Sequence, residues 1–352
     1  MILHRLLRDP RRIADLSMED WDAVIPQARV SGLLSRLGAV AVAQSDYTAL
    51  PDRPRRHMEA ARLVAAKHRR DVQFELDRIR DLLSSTLGTI VLLKGAAYVA
   101  ADLPPAEGRI FNDIDILVRE EQLEAVESIL HLAGWRMGSI DPYDDRYYRR
   151  WMHQIPPMTH GGRQTTIDVH HSLIPRTARI GTVTAAQLMQ HAREIPARPG
   201  FATLSPEDMV LHSATHLFNE GEFGRGLRDL GDIDLLLRHF HDHPDFWTRL
   251  LDRAQELRLT RPLFYALSQS TRIMGTPLPT KAFDAVRHFA PTAPTLLVMD
   301  WALARALNPP HKSCREPFSG LALWFLYVRA HYLRMPVHLL VPHLIRKAFM
   351  RD

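Results

Sequence analysis

Residues 90–118, IVLLKGAAYVAADLPPAEGRIFNDIDILV, decide the reading of the fold. Ile90–Leu93 make one apolar run, and Ile114, Ile116, Leu117 and Val118 make a second. β-Branched and aliphatic side chains of this kind suit a buried strand. Asp113 and Asp115 interrupt the second run, and carboxylates inside an apolar strand are costly unless something positive neutralises them. Alternation along a strand sends both to one face, with Cα atoms roughly 7 Å apart. That spacing lets two oxygens reach a shared hard cation such as Mg²⁺. A solvated pair at a strand edge is the competing reading.

Working outward, strand patterns recur at 89–93, 112–118, 134–138, 154–160 and 165–171, with helical patterns at 95–102 and 120–133 between the first three. Upstream, Leu16, Trp21, Ile25, Val30, Leu33, Leu34 and Leu37 recur at helical spacing, and an amphipathic segment runs from about Arg55 to Leu87 behind Pro51 and Pro54. Downstream, Ser205-Pro206-Glu207-Asp208 is a helix start, and helices follow at about 206–218, 226–240, 244–257, 261–274, 280–289 and 294–306. The expectation is an α+β protein: N-terminal helices over 1–86, a mixed-sheet core over 87–200 and a helical C-terminal domain over 201–352. Pro196, Pro199, Gly200 and Pro206 mark the expected linker near 196–205.

A chain of 352 residues that is 46% hydrophobic and 24% charged can bury a sizeable core, so disorder is not expected to dominate. One cysteine, Cys314, rules out an intramolecular disulfide framework and fits a reducing, cytoplasmic setting. No apolar run has the length of a membrane span, and the start MILHRLLRDPRR lacks a signal-peptide core. The net charge of +5 rests on 45 basic residues of which five are Lys. Such an Arg excess fits bidentate recognition of phosphate or carboxylate and equally a GC-rich genome. It is too small and dispersed to point to nucleic acid.

The block resembles the nucleotidyltransferase superfamily, and most closely a bacterial group with an apolar strand ending in Leu-Lys-Gly, a short helix, an Arg, and Asp-x-Asp before a second apolar strand. Here the pattern stands as Leu93-Lys94-Gly95, Arg109 and Asp113-Ile114-Asp115. Many members of the superfamily carry Gly-Gly or Gly-Ser after the first strand, where this chain has Lys94-Gly95-Ala96. The resemblance covers about residues 25–240. It implies a third carboxylate on a later strand, supplied by TTIDVHHSL at Asp168. It further implies two Mg²⁺ ions held by Asp113, Asp115 and Asp168, with a nucleoside triphosphate as co-substrate. Gly95 would let the backbone approach the triphosphate, and Lys94 would add charge to it or turn to a neighbouring carboxylate. Arg109 would neutralise phosphate or brace the Asp pair. Members of the group occur in natural-product settings, including lasso peptide clusters, so the expected acceptor is a small molecule or modified peptide. A non-catalytic nucleotide-binding or interaction module on the same fold is the alternative.

Other residues carry weaker signals. His170 shares the Asp168 face of its strand, whereas His171 points away. A structural hydrogen bond and a chemical role are both open to it. His212 and His216 stand four apart, but without the His-Glu-x-x-His pattern or an evident third ligand they read as core or cleft-lining residues. Asp229, Asp232 and Asp234 echo the first cluster in letters, yet Leu227, Leu230, Ile233, Leu236 and Leu237 set them on a helix. The expectation there is a solvated or salt-bridged helix face. The segment 321–349 mixes apolar residues with Arg329, Arg334, Arg346 and Lys347, broken by Pro336 and Pro342. Packing onto the helical domain is its simplest reading, and peripheral membrane or partner contact is the alternative.

Overall fold

The computed structural model describes residues 1–44, 47–138, 141–338 and 340. Four helices lead in: α1 (Ile2–Arg8), α2 (Met18–Val30), α3 (Leu34–Gln44) and α4 (Asp52–Leu87). The middle of the chain alternates strands and helices as β1 (Ile90–Leu92), α5 (Lys94–Ala100), β2 (Asp113–Leu117), α6 (Leu123–Leu132), β3 (Trp135–Met137), α7 (Pro142–Trp151), β4 (Met158–His160) and β5 (Thr166–His170). Then come α8 (Ala185–Met189), β6 (Arg193–Glu194) and β7 (Phe201–Thr203). Helices close the chain: α9 (Pro206–Asn219), α10 (Gly226–Phe240), α11 (Phe246–Glu256), α12 (Thr260–Gln269), α13 (Thr280–Arg287), α14 (Ala293–Ala306) and α15 (Ser319–Arg334). This is an α+β protein with a mixed sheet flanked by helices and a helical C-terminal region, as its sequence implies.

Local chemistry sets several boundaries. Ser17 and Asp20 form a reciprocal capping box at α2, each side chain accepting from the other's backbone N–H at 3.1 Å. Helix α4 starts at Asp52, and Pro54 lies within its first turn instead of breaking it. A first-turn N–H has no intrahelical partner, so proline costs nothing there. Met58, Ala65, Val72, Leu76, Ile79 and Leu83 give α4 one buried stripe at steps of three, four and seven residues. Ser205 caps α9, its Oγ accepting from the Asp208 N–H at 3.1 Å.

The seven strands run in the order β3-β4-β5-β2-β1-β7-β6. Strand β2 pairs parallel to β5 and antiparallel to β1, while β7 lies parallel to β1. Strands β6 and β7 escape the sequence pattern, and β4 is shorter than its run. Phe201–Thr203, within the expected linker, is fully buried and registered on Ile90–Leu92. A strand of three residues is too short for a period to emerge. The proline-bearing run at 154–160 contributes only Met158–His160 as strand, since Pro156 and Pro157 cannot donate to a ladder. Apolar side chains from the N-terminal helices, the sheet and the C-terminal helices form one continuous core.

No helix among the described residues is long and apolar enough to cross a membrane. In α15, Arg329 donates to the Phe218 carbonyl at 2.7 Å and Arg334 to the Glu220 carbonyl at 2.6 Å, so both cations are tied to the end of α9. Pro342, Arg346 and Lys347 lie outside the described residues.

Candidate active site

The pairing of β2 with β5 builds the site. In this parallel register Asp115 is the direct partner of Asp168, Asp113 of Thr166, and Leu117 of His170. Partnered residues share a face, with strands about 4.8 Å apart. Asp113, Asp115, Asp168 and His170 therefore project from one side of the sheet. Asp115 is 5% exposed and His170 2% exposed, and His170 Nε2 lies 2.9 Å from Asp115 Oδ1. Donor atoms of Asp115, Asp168 and His170 all fall within 4.8 Å of one another, the spacing of ligands around one ion. Asp113 sits at the exposed start of β2, outside that group. It lines a cleft of about 180 Å³ with Asn112, Thr165, Gln164, Arg163 and Glu75.

Electrostatics separate the three carboxyls. Burial, followed by the Asp115 charge, raises Asp168 to about 6. Burial and Asp115 likewise raise Asp113. Although its surface is exposed, the Asp113 carboxyl is thus still partly desolvated. Burial would also raise Asp115, but the Lys94 charge and the His170 hydrogen bond outweigh it and hold this carboxyl well below the usual range. Asp168 Oδ1 is buried with no hydrogen-bond partner. An orphaned acceptor oxygen beside a charged carboxylate is a deficit of positive charge, which a divalent cation satisfies. The donor set therefore fits a metal ion.

Lys94 opens α5 directly after β1, with a φ of 41° that side-chain-bearing residues seldom adopt. Leu93, just before it, donates its N–H to the Asp115 carbonyl at 3.0 Å. The charge of Lys94 is the first to oppose burial at Asp115, and it also depresses His212 and His153. Its charge thus acts on Asp115 in the free protein.

Arg109 is, after Lys94, the second charge to oppose the rise that burial and Asp115 impose on Asp113. It pairs with Asp232 of α10 and lies over the rings of Tyr98, at 5.6 Å, and Phe111, at 5.9 Å. Asp232 also accepts from Arg36 Nη2 at 2.6 Å. At 2% exposure Asp232 is not part of a solvated helix face; it is a buried carboxylate holding α3, α10 and the approach to β2 together. Gly95 has a packing reason of its own, because a Cβ there would stand 2.8 Å from Phe111 Cδ1.

Behind His170 lies a group of histidines. The ring of His153 is 5.3 Å from that of His170, and that of His212 is 6.5 Å away. His216 Nε2 approaches Glu220 at 3.0 Å and His153 Nε2 approaches it at 3.9 Å. Burial, then the Lys94 charge, keeps His212 neutral. Among the described residues the histidines of α9 belong to no converging metal-ligand group, and His212 is buried at 5% exposure. His153 and Glu220 carry no local signal in the sequence and enter only through the fold.

An acidic pair shared between parallel strands, an unpartnered buried oxygen and a lysine at the head of the helix after β1 fit a site that handles phosphate through a cation. Residues 17–275 match the family described as an uncharacterised nucleotidyltransferase, and the chain belongs to that family. No curated protein and no solved structure matches it.

Proposed function

We propose that the protein transfers a nucleoside monophosphate from a nucleoside triphosphate to a hydroxyl or phosphate acceptor, releasing pyrophosphate in a Mg²⁺-dependent reaction. The observation that carries this reading is the direct pairing of Asp115 with Asp168 across β2 and β5, with Asp168 Oδ1 buried and unpartnered. A bound cation supplies neutralisation of the triphosphate and stabilisation of charge at the α-phosphorus, from two positions in this reading. Asp113 and Asp115 hold the position that travels with the nucleotide. Asp168, shared with Asp115, completes the second. Lys94 adds a fixed positive charge to the triphosphate side. Gly95 and Arg109 serve the nucleotide indirectly, by letting α5 and Phe111 close against each other and against α10.

In the transfer the acceptor oxygen bonds to the α-phosphorus, the bond to pyrophosphate breaks, and the acceptor proton passes to Asp168. The C-terminal helices, with the His212 ring of α9 6.5 Å from that of His170, supply the acceptor side, and a small molecule or modified peptide is the acceptor class we propose.

The test is the thermal shift of wild type and of Asp113→Asn/Asp115→Asn with ATP, GTP, CTP and UTP, with and without Mg²⁺. Ligands that bind only the native state raise the midpoint by mass action. A Mg²⁺-dependent rise with one nucleotide, lost in the double variant, is the expected result. No rise with any nucleotide, together with no pyrophosphate release, would sink the reading.

A further inference from the structure

The transfer reading uses three carboxylates, but the side chain whose donor atom converges with Asp115 and Asp168 is His170, not Asp113. Building on that reading, we propose that the Asp115–Asp168–His170 position is a mixed nitrogen and oxygen site that takes a first-row transition ion in preference to Mg²⁺. The Mg²⁺ carried by the nucleotide then belongs at Asp113 and Asp115.

Three observations point this way. The 2.9 Å between His170 Nε2 and Asp115 Oδ1, a hydrogen bond in the metal-free protein, also matches two adjacent ligands of an octahedral ion once Nε2 gives up its proton to solvent. Such ligands lie about 3.0 Å apart when metal–ligand distances are about 2.1 Å. His170 is 2% exposed and its Nδ1 is buried without a partner, so Asp115 is the one hydrogen-bond partner of this ring among the described residues. A histidine kept for the fold would spend its nitrogens on the fold; this one spends its contact on the site. Asp168 Oδ1, on the same face, is buried and unpartnered as well.

Ligand chemistry then separates the cations. Mg²⁺ prefers an all-oxygen octahedron and keeps its waters, whereas imidazole nitrogen favours the later divalent ions of the first row. Mn²⁺ binds nitrogen most weakly of that row and is therefore the strictest probe.

The experiment titrates the chelator-treated full-length protein with Mn²⁺, following loss of the free-ion paramagnetic resonance signal, and repeats the titration in competition with Mg²⁺. Wild type is expected to prefer Mn²⁺ by about tenfold or more. In His170→Asn the preference should fall to within about threefold, while Asp113→Asn should keep it. Pulsed resonance on wild type grown with ¹⁵N-histidine should show nitrogen coupled to the bound Mn²⁺, a readout that needs no variant. Absence of that coupling, or an unchanged preference in a folded His170→Asn, overturns the proposal. The two readings fail separately. Mg²⁺-dependent nucleotide binding without nitrogen coupling defeats the proposal alone, and nitrogen-coupled Mn²⁺ without any nucleotide binding defeats the transfer reading alone.

Discussion

The tripeptide Asp-Ile-Asp occurs twice in this chain, at 113–115 and at 232–234, and the two copies have opposite fates. In β2 the pair faces one way, beside Asp168, and among the described residues no arginine forms an ion pair with it. In α10 the two carboxylates diverge around the helix and each is matched. Asp232 takes Arg36 and Arg109, while Asp234 takes Arg238 at 2.8 Å and the Thr276 hydroxyl at 2.7 Å. Identical letters thus make an open charge deficit in a strand and a closed set of ion pairs in a helix. The lesson is that acidic residues become a candidate site where the fold leaves a buried oxygen unpartnered, as at Asp168 Oδ1.

The largest expected effect tests the open copy. Asp115→Asn and Asp168→Asn should each lower pyrophosphate release by at least about 10³-fold, since both lose a cation ligand and one loses the proton acceptor. Metal-free stability of Asp168→Asn should change by no more than about 1 kcal/mol, because it removes a charge that Asp115 repels. Asp115→Asn also gives up the Lys94 and His170 interactions and should cost more. Folded, metal-binding and fully active variants would break the comparison.

The closed copy should respond the other way. Asp232→Asn leaves Arg36 and Arg109 buried with their shared charge partner gone, and breaking such a pair costs about 3–5 kcal/mol. Denaturant unfolding should show that loss, with Mn²⁺ binding retained in the folded fraction. A variant of wild-type stability that no longer binds nucleotide would instead place Asp232 in the site.

What could be read from the sequence follows the same division. The apolar runs of β1 and β2 and the helical spacing of α9 and α10 are local patterns, and the structure carries all four. Asp113 and Asp115 share a face for a local reason, and that too was legible. The partnership of Asp115 with Asp168 depends on β5 lying beside β2, which the resemblance implies and no spacing shows. The capture of Arg109 by Asp232 was hidden because an arginine's partner is fixed by tertiary packing. Strand β7 was hidden for another reason: three residues cannot display a period, and the prolines around them imitate a linker.

The smallest effect is a difference in the sign of pH dependence. Asp168 is raised to about 6 from an ordinary 3.8, so in metal-free protein the folded state holds this proton more tightly than the unfolded chain. Its contribution to stability is full below about pH 3.8 and is lost as pH rises through about 6. Asp229, beside the closed copy, is the reverse. Burial pulls it up, but the charges of Arg228, Arg109 and His216 outweigh this and lower it, so it contributes stability above 3.8 that disappears as pH falls. Unfolding in chelator at pH 4.5 and 7.5 should therefore show Asp168→Asn gaining on wild type toward the higher pH. Asp229→Asn should lose more relative to wild type at neutral pH than at a pH below 3.8. Added divalent cation should invert the first trend and leave the second alone, because the ion binds the deprotonated Asp168 and has no access to an ion-paired helix. Parallel slopes for wild type and Asp168→Asn in chelator would mean that the carboxylates of β2 and β5 are already neutralised within the chain, and the contrast between the two Asp-Ile-Asp copies would disappear.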